Sequence, residues 1–447
     1  MPDRAPPAET PNPRRIVRPF SLADRGMAMA HIDGKVAFVP FAAPGDEVEV
    51  EIVREKRRHV ITRLVRVITP SPLRRAPRCP HFGRCGGCRW QHLPYPEQLR
   101  AKDRSFRGFL RTRLGLRDET PFRDPIPSPR EWGYRNRVGW KVRFFGGGVH
   151  VGYFEAGTHR LVPIRACPVA RPEIEGVLGP LGEFLQGFAP ARGALPQMDV
   201  QVDGRGGLWA VAHLLRPLSR DGDAQLRAFF RSAGVGGAFV QAGRKHTLRP
   251  LGEDPGAMEF TVTAAGRALE LAVRPGGFVQ ANPDVNQAIV DEVVALADRY
   301  RGLTVFDLYA GAGNFSLPLA LAARRVVAVE GYPPAARDGA ANARRNGLDN
   351  VEVRAQPVAR ALEDMVRAGE RPGFVVMDPP REGAPEALAG LLALRPAHVL
   401  YVSCSPQTLA RDLRHLTRDA YRVAWVRSAD MFPQTAHLES LTLLEAL

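Results

Sequence analysis

The stretch that decides the fold is "DLYAGAGNFSLPLA", residues 307–320. It follows the apolar run "TVF" and leads into "LALAA", so it reads as strand, tight glycine turn, then helix. Gly311 and Gly313 let the backbone come close to a ligand at a helix N-terminus. Working outward, strands and helices alternate from residue 276 to the end: "RVVAVE", "PPAARDGAANARRNG", "VEVRA", a helix near 358–368, "FVVMDPP", "EALAGLLAL", "HVLYVSC", "PQTLARDLRHL". "NPDVNQAIVDEVVALADRY" precedes them as a helix, with Asn282 as cap and Pro283 at its first position. Alternating β and α segments with apolar strands predict an α/β, Rossmann-like, mostly parallel sheet. Ligands of such sheets sit beyond the C-terminal ends of the strands.

Those strand ends carry the chemistry. Ser316 stands where the dinucleotide fingerprint has its third glycine, and Glu330 ends the second strand 19 residues after Gly311. A glycine loop with an acid placed to accept both ribose hydroxyls, and no third glycine, fits a nucleoside cofactor without a pyrophosphate. S-adenosylmethionine is the expected ligand. The fourth strand ends in "MDPPREG", where two prolines stiffen the backbone after Asp378 and make it a rigid acceptor for an N–H. The fifth ends in "YVSCSPQT", which places Cys404 just before a helix; a helix N-terminus is expected to lower the thiol's pKa and favour a nucleophilic thiolate, against a buried structural cysteine. In "DMFPQTAHLESL" His437 and Glu439 share a side if the segment is extended, and either could act as a base. "GGFVQANP" offers Phe278 to stack on a base and Gln280 to hydrogen-bond it.

The N-terminal half has a different texture. Residues 1–13 read as a disordered tail without an apolar core, and no run in the 447-residue chain approaches the ~18 apolar residues of a membrane span. Residues 14–70 alternate with period two in "DEVEVEIV" and "HVITRLVRVI", with turns at Asp33-Gly34 and Pro44-Gly45-Asp46; they predict a small β-barrel. Residues 71–274 predict a central α+β domain, and 275–447 the Rossmann-like domain. The net charge is +15, and residues 54–78 hold nine Lys/Arg against the single acid Glu55, which points to a polyanionic partner. "EWGYRNRVGWKVRFF" interleaves Arg135, Arg137, Lys141 and Arg143 with Trp132, Tyr134 and Trp140, the mix of cations and rings that single-stranded nucleic acid requires, or else a strand with an aromatic core face and a basic surface. The helix expected at 96–114 is basic and amphipathic. "CPHFGRCGGC" places Cys79, Cys85 and Cys88 within ten positions. An odd total of five cysteines argues against a disulfide framework and for a cytoplasmic location.

Taken together, "CPHFGRCGGC", "YRNRVGWKVR", "GGFVQANP", "DLYAGAGNFSLPLA", "DPPREG", "YVSCSPQT" and "FPQTAHLE" resemble the RNA 5-methyluridine methyltransferases, in the subgroup with an N-terminal TRAM domain and an iron–sulfur cluster. The resemblance runs from about residue 14 to the end. It implies an OB-like TRAM barrel, a central domain with a [4Fe–4S] cluster and a methyltransferase domain using S-adenosylmethionine. It implies Cys404 as nucleophile and Glu439 as general base, with Gln280, Tyr309, Gly311, Gly313, Asn314, Glu330 and Asp378 lining the methyl-donor and uridine site. Phe278, Gln280, Arg135 and Arg137 would touch RNA. Cys79, Cys85, Cys88 and Cys167 would hold the cluster, leaving Cys404 as the fifth thiol; a Cys₄ set also suits zinc, though zinc sites usually pair two CxxC knuckles. Pro357 stands where relatives often place Asn or Asp against the adenine, so Gln356 or a backbone group would serve there.

Relatives of this architecture act mostly on 23S ribosomal RNA, with transfer RNA the alternative; a monomer is expected. A 5-methylcytidine enzyme would show a Pro-Cys pair where this chain has "DPPREG", an amino-group methylase would leave Cys404 and Glu439 without a role, and a radical methylthiotransferase would want CxxxCxxC. A non-catalytic RNA-binding protein on the same scaffold would not need the strand-end residues.

Overall fold

The computed structural model describes residues 12–23, 26–116, 121–244 and 247–447. Of the expected disordered tail, residues 1–11 lie outside the described residues. The chain forms two compact units: Met1–Gly83 with Gly87–Ser105 and Gln434–Ala436, and Arg84–Gly86 with Phe106–Pro433 and His437–Leu447.

The smaller unit is built on a six-stranded sheet ordered Arg14–Val17, Glu47–Glu55, His59–Thr69, Lys35–Pro40, Met27–Ile32, Ser21–Leu22. All neighbours are antiparallel except Lys35–Pro40 with His59–Thr69. The period-two reading holds here: Val48, Val50 and Ile52 face the core, while Glu47, Glu49 and Glu51 face outward. Asp33 and Gly34 both take positive φ at the hairpin turn (48° and 77°). Asp46, fully buried, accepts the amides of Ala43 (2.6 Å) and Ser71 (2.8 Å) and pairs with Arg74 (2.6 Å). The basic run 54–78 is therefore less free than its composition suggests. Arg63, Arg66 and Arg74 are paired with Glu51, Glu49 and Asp46 of the same unit.

In the larger unit, a mixed seven-stranded sheet runs Arg249–Pro250, Val235–Ala242, Leu208–Leu214, Gln197–Val202, Arg137–Phe145, Gly148–Phe154, Leu161–Pro163. Helices Pro172–Gly187 and Arg220–Ser232 cover one face, burying Ile174, Leu181, Leu226 and Phe230 against Val138, Trp140, Val142 and Val200. This answers the stacking expectation for "YRNRVGWKVR". Trp140 and Tyr134 are both 0% exposed, and the Tyr134 hydroxyl donates to the Pro433 carbonyl (2.9 Å). Trp140 is a core residue because strand alternation sends every second side chain of Arg137–Phe145 inward. Of the three rings expected to stack on RNA, Trp140 is packed against helices, Tyr134 is buried on the Pro433 carbonyl, and Trp132 is half-buried.

A hairpin of Met258–Ala264 and Arg267–Val273 follows. Then come α1 (Pro283–Ala297), β1 (Thr304–Leu308), α2 (Ser316–Ala320), β2 (Arg325–Val329), α3 (Pro333–Arg345), β3 (Val351–Arg354), α4 (Val358–Arg367), β4 (Phe374–Met377), α5 (Leu388–Leu394), β5 (His398–Ser403), α6 (Pro406–Leu416), β6 (Tyr421–Ala429) and β7 (Glu439–Ala446). The sheet order is β3-β2-β1-β4-β5-β7-β6, parallel except for β7, which is antiparallel to β5 and β6. Val305, Val326, Val376 and Leu400 point to one apolar layer with α1 and the hairpin; Phe306, Val327, Val375 and Tyr401 point to another with α4, α5 and α6. Burial on both faces explains why these strands read as continuous apolar runs. Asn282 caps α1, with its Oδ1 3.5 Å from the Val285 amide.

Candidate active site

β1 is followed by Tyr309, which takes the left-handed conformation (φ 64°), as does Gly311 (φ 56°). A non-glycine residue held there is strained and needs support from its surroundings. The Tyr309 hydroxyl supplies some, donating to Glu386 Oε1 at 2.5 Å. Glu330, one residue past β2, accepts the Gly311 amide on one carboxylate oxygen (2.9 Å) and the Tyr332 amide on the other (2.6 Å). The glycine loop and the acid are thus joined directly, as their 19-residue spacing requires of adjacent parallel strands. Ser316 donates to Asp307, which is buried within β1. Burial, followed by the field of Asp378, lifts the Asp307 carboxyl to about 7 despite that hydrogen bond. The serine in place of a third glycine therefore ties α2 to the strand.

A cavity of about 290 Å³ opens beside this loop, with Phe278, Gln280, Tyr309, Gly311, Asn314 and Asp378 in its lining. Gln280 donates to Asp378 (3.3 Å), and Asn136 donates to the Gln280 carbonyl (3.0 Å). Asn314 and Asn286 exchange amide hydrogen bonds at 2.9 and 3.0 Å. Phe278 is 72% exposed at the cavity wall, an unusual position for a large ring and a suitable one for receiving a planar ligand. Gly313 (φ 102°) lies against Leu317, outside the lining.

The nucleophile side is built by β5 and β7. Ser403 pairs with Ser440 in an antiparallel register, which brings the adjoining Cys404 and Glu439 opposite each other. Glu439 is 5% exposed; burial first, then Asp378, raise its carboxyl well above the usual range, and the Arg381 guanidinium opposes this. Asp378 is raised by burial too. The Cys404 thiol is pushed up to about 11 by burial and then by Glu439, with Arg381 pulling the other way. This corrects the expectation of a lowered thiol pKa. Ser405, not Cys404, caps α6, and desolvation beside two carboxylates outweighs the helix end.

The "DPPREG" turn is clamped onto α6. Thr408 donates to the Arg381 carbonyl (3.1 Å), Arg411 to the Glu382 carbonyl (2.8 Å), and buried Asp412 accepts the Ala384 amide and the Tyr401 hydroxyl (both 2.8 Å). Gly383 (φ 77°) has no room for a side chain there, since a Cβ would lie 2.5 Å from Asp412. Asp378 and Arg381 are thereby held in the same frame as Cys404. Sequence reasoning passed over Arg381, Asp307, Asn286 and Glu386. An acid in the middle of an apolar strand was a visible signal for Asp307; Asn286 and Glu386 acquire their partners only through folding.

Other expected residues lie elsewhere. Arg137 pairs with Asp199 (2.8 Å) on the central sheet, and Arg135 lies over the Phe432 ring (5.8 Å). His437 precedes β7 rather than lying in it, edge-on to Phe432. Cys85 bridges to Glu155, and the Cys167 sulfur is 3.9 Å from the Tyr153 hydroxyl, whose pKa rises through burial and both these thiols. Cys79 and Cys88 belong to the smaller unit, where the Cys79 amide donates to Gln91 (2.9 Å). Among the described residues no group of three or more Cys, His, Asp or Glu is arranged to hold a metal ion.

A β3-β2-β1-β4-β5-β7-β6 sheet with a glycine loop after β1 and an acid after β2 defines an S-adenosylmethionine-dependent methyltransferase. The family model described as tRNA (Uracil-5-)-methyltransferase matches residues 251–447, and that of the tRNA (uracil(54)-C(5))-methyltransferase TRAM domain matches residues 14–73. Proteins named 23S rRNA (uracil(1939)-C(5))-methyltransferase RlmD from Aromatoleum aromaticum and Alkalilimnicola ehrlichii are each 37% identical, covering 95% and 97% of this chain and 98% of their own length. The Pyrococcus abyssi tRNA (uracil-54, C5)-methyltransferase, solved with S-adenosyl-L-homocysteine, superposes with a TM-score of 0.71 over 96% of this chain and all of its own; at 24% identity the likeness is one of fold. The chain belongs to the S-adenosylmethionine-dependent RNA (uracil-C5) methyltransferases.

Proposed function

We propose that the protein methylates carbon 5 of a uridine in 23S ribosomal RNA, as the names of its relatives suggest. Cys404 and Glu439, close enough to each other and to Asp378 for their charges to interact, with Asp378 and Gln280 in the lining of the cavity, are the observation that carries this reading. Uracil carbon 5 is a weak nucleophile. Addition of the Cys404 sulfur to carbon 6, after the thiol sheds its proton to solvent, turns the ring into an enolate that is nucleophilic at carbon 5. S-adenosylmethionine supplies the methyl as a sulfonium; Gln280, Tyr309, Gly311, Gly313, Asn314, Glu330 and Asp378 are the residues that would hold donor and ring. Glu439 then takes the carbon 5 proton, and the thiolate leaves. The raised pKa of Glu439 makes its carboxylate a stronger base for that step. Arg381 and Gln280 are placed to stabilise negative charge as it develops. Phe278 would stack on a uridine flipped out of its helix, since a stacked base is out of reach.

We further infer that Cys79, Cys85, Cys88 and Cys167 hold a [4Fe–4S] cluster of structural role. Four partly buried thiols are the right donor set for it, and Cys85 and Cys167 already flank one tyrosine. Residues 14–70 would close as an OB-like TRAM barrel gripping RNA, with 71–274 as the central RNA-binding domain and 275–447 transferring the methyl group, in a cytoplasmic monomer. No helix among the described residues is long and apolar enough to cross a membrane. Mass spectrometry of ribosomal and transfer RNA from cells lacking the gene tests the function: one 23S uridine should lose a methyl group. Loss of methylation from a transfer RNA instead would favour the reading suggested by the name of the catalytic family model. Iron and sulfide analysis of anaerobically purified protein tests the cluster.

A further inference from the structure

Away from the cavity, the hairpin of Arg137–Phe145 and Gly148–Phe154 turns through Gly146 and Gly147, both at positive φ (59° and 80°), and leaves two adjacent rings in solvent. Phe144 is 43% exposed and Phe145 45%. Large rings at a hairpin tip contribute little to a core, and paired exposed rings mark contact surfaces. The register pairs Lys141 with Gly152, Arg143 with His150 and Phe145 with Gly148. Alternation then puts Lys141, Arg143 and Phe145 on the face opposite the helix-packed Val138, Trp140 and Val142.

That open face is a ladder of rings and cations. Phe145 stacks on His150 with centroids 4.1 Å apart and planes 26° apart. Arg143 and Lys141 both lie over the Phe154 ring, at 5.2 and 5.7 Å. Across the tip, Arg192 lies over Phe144 at 5.4 Å. Among the described residues, none of Lys141, Arg143 and Arg192 pairs with a carboxylate, whereas Arg137 lower on the same strand does. Lys141 donates to the Gln197 side chain and Arg143 to the Val142 and Pro196 carbonyls, which leave their charge uncompensated; such cations interleaved with exposed rings complement a polyanion that carries flat bases. They do not complement an apolar protein surface, which would leave three charges desolvated.

We propose that this hairpin tip is a docking surface for single-stranded RNA, separate from the cavity that receives the reacting uridine. Bases stack on Phe144 and on the Phe145–His150 pair, and Lys141, Arg143 and Arg192 neutralise the phosphates between them. The proposal rests on the reading of the chain as an RNA methyltransferase and adds a second point of attachment on the same substrate.

The test uses the full chain with two probes, fluorescent oligouridine for binding and protein-free 23S ribosomal RNA for methylation. Phe144→Ala/Phe145→Ala removes only exposed rings, so the fold should survive. It should weaken oligouridine binding about tenfold or more, in line with stacking energies of ~1–3 kcal/mol per base. It should also raise KM for 23S RNA with kcat unchanged. Arg143→Glu/Arg192→Glu should flatten the salt dependence of binding. Wild-type affinity and salt slope in both variants would overturn the proposal, as would tighter binding of a ribosomal protein than of RNA to the same tip. If the wild-type chain methylates no RNA, the functional reading fails by itself, while the oligouridine measurement still reports on the surface.

Discussion

Two sheets of the larger unit make an instructive contrast. The C-terminal sheet is buried on both faces, so its parallel strands are mainly apolar, Asp307 excepted, and most residues of the candidate site lie at the strand ends. There a charged or thiol side chain in sequence already means a position beside the ligand. The central sheet packs helices on one face; its other face is covered in the middle, where Asp199 and Gln201 are buried, and open toward the tip of Arg137–Phe145, a strand that alternates cations with rings. Sequence alone does not say which half of such a pattern faces water. Arg135, Arg137, Lys141 and Arg143 are half-buried; Trp140 follows the aromatic-core alternative, while Phe144 and Phe145 at the tip are exposed.

The largest effect that would break this contrast belongs to the C-terminal sheet. Cys404→Ala should abolish turnover, and Glu439→Gln should accumulate a covalent enzyme–RNA adduct, visible as a slow band on a denaturing gel; normal turnover without adduct in the latter would remove both assignments. The central sheet should respond through stability instead. Trp140→Ala should cost about 3–5 kcal/mol in urea unfolding, as for buried aromatics generally, while the affinity of the folded fraction for oligouridine stays unchanged. A drop in affinity without destabilisation would restore Trp140 as a stacking platform.

Protonation sharpens the comparison further. With the Cys404 thiol near 11, its reactive thiolate is the minor form at neutral pH. Its alkylation by iodoacetamide, followed by peptide mass spectrometry, should therefore quicken about tenfold per pH unit up to pH 10. A plateau near pH 7 would mean a thiol activated by the helix end after all. Asp307 gives a smaller effect on the fold. Its folded pKa of about 7 lies above the unfolded carboxylate value, so the native state holds the extra proton between roughly pH 4 and 7 and stability falls as pH rises through that window. Asp307→Asn should flatten that decline in the melting temperature. Smallest of all, Arg137→Ala should cost about 1–2 kcal/mol: it takes one charged partner from the buried Asp199, which keeps hydrogen bonds from His213 and Gln197.

The candidate site was legible to different depths. Gly311, Glu330, Asp378, Cys404 and Glu439 stand out because each polar or flexible residue interrupts an apolar strand or directly follows one. Their joint geometry was less accessible. That Glu330 binds the Gly311 amide, that Asp412 clamps the turn carrying Arg381, and that Asn286 holds Asn314 all depend on contacts between segments distant in the chain. In the smaller unit the alternation gave the strands, yet it could not show that Arg63 and Arg66 spend their charge on Glu51 and Glu49 across the same sheet.

By itself, the sequence determined the order of strands and helices, the ligand-bearing end of the C-terminal sheet and the residue types gathered there, because periodicity and strand-end chemistry are local properties of the chain. Only the tertiary structure decided the protonation of Cys404 and Glu439, the burial of Trp140 and the exposure of Phe145, because desolvation and the choice of which face is covered arise from elements that meet only on folding.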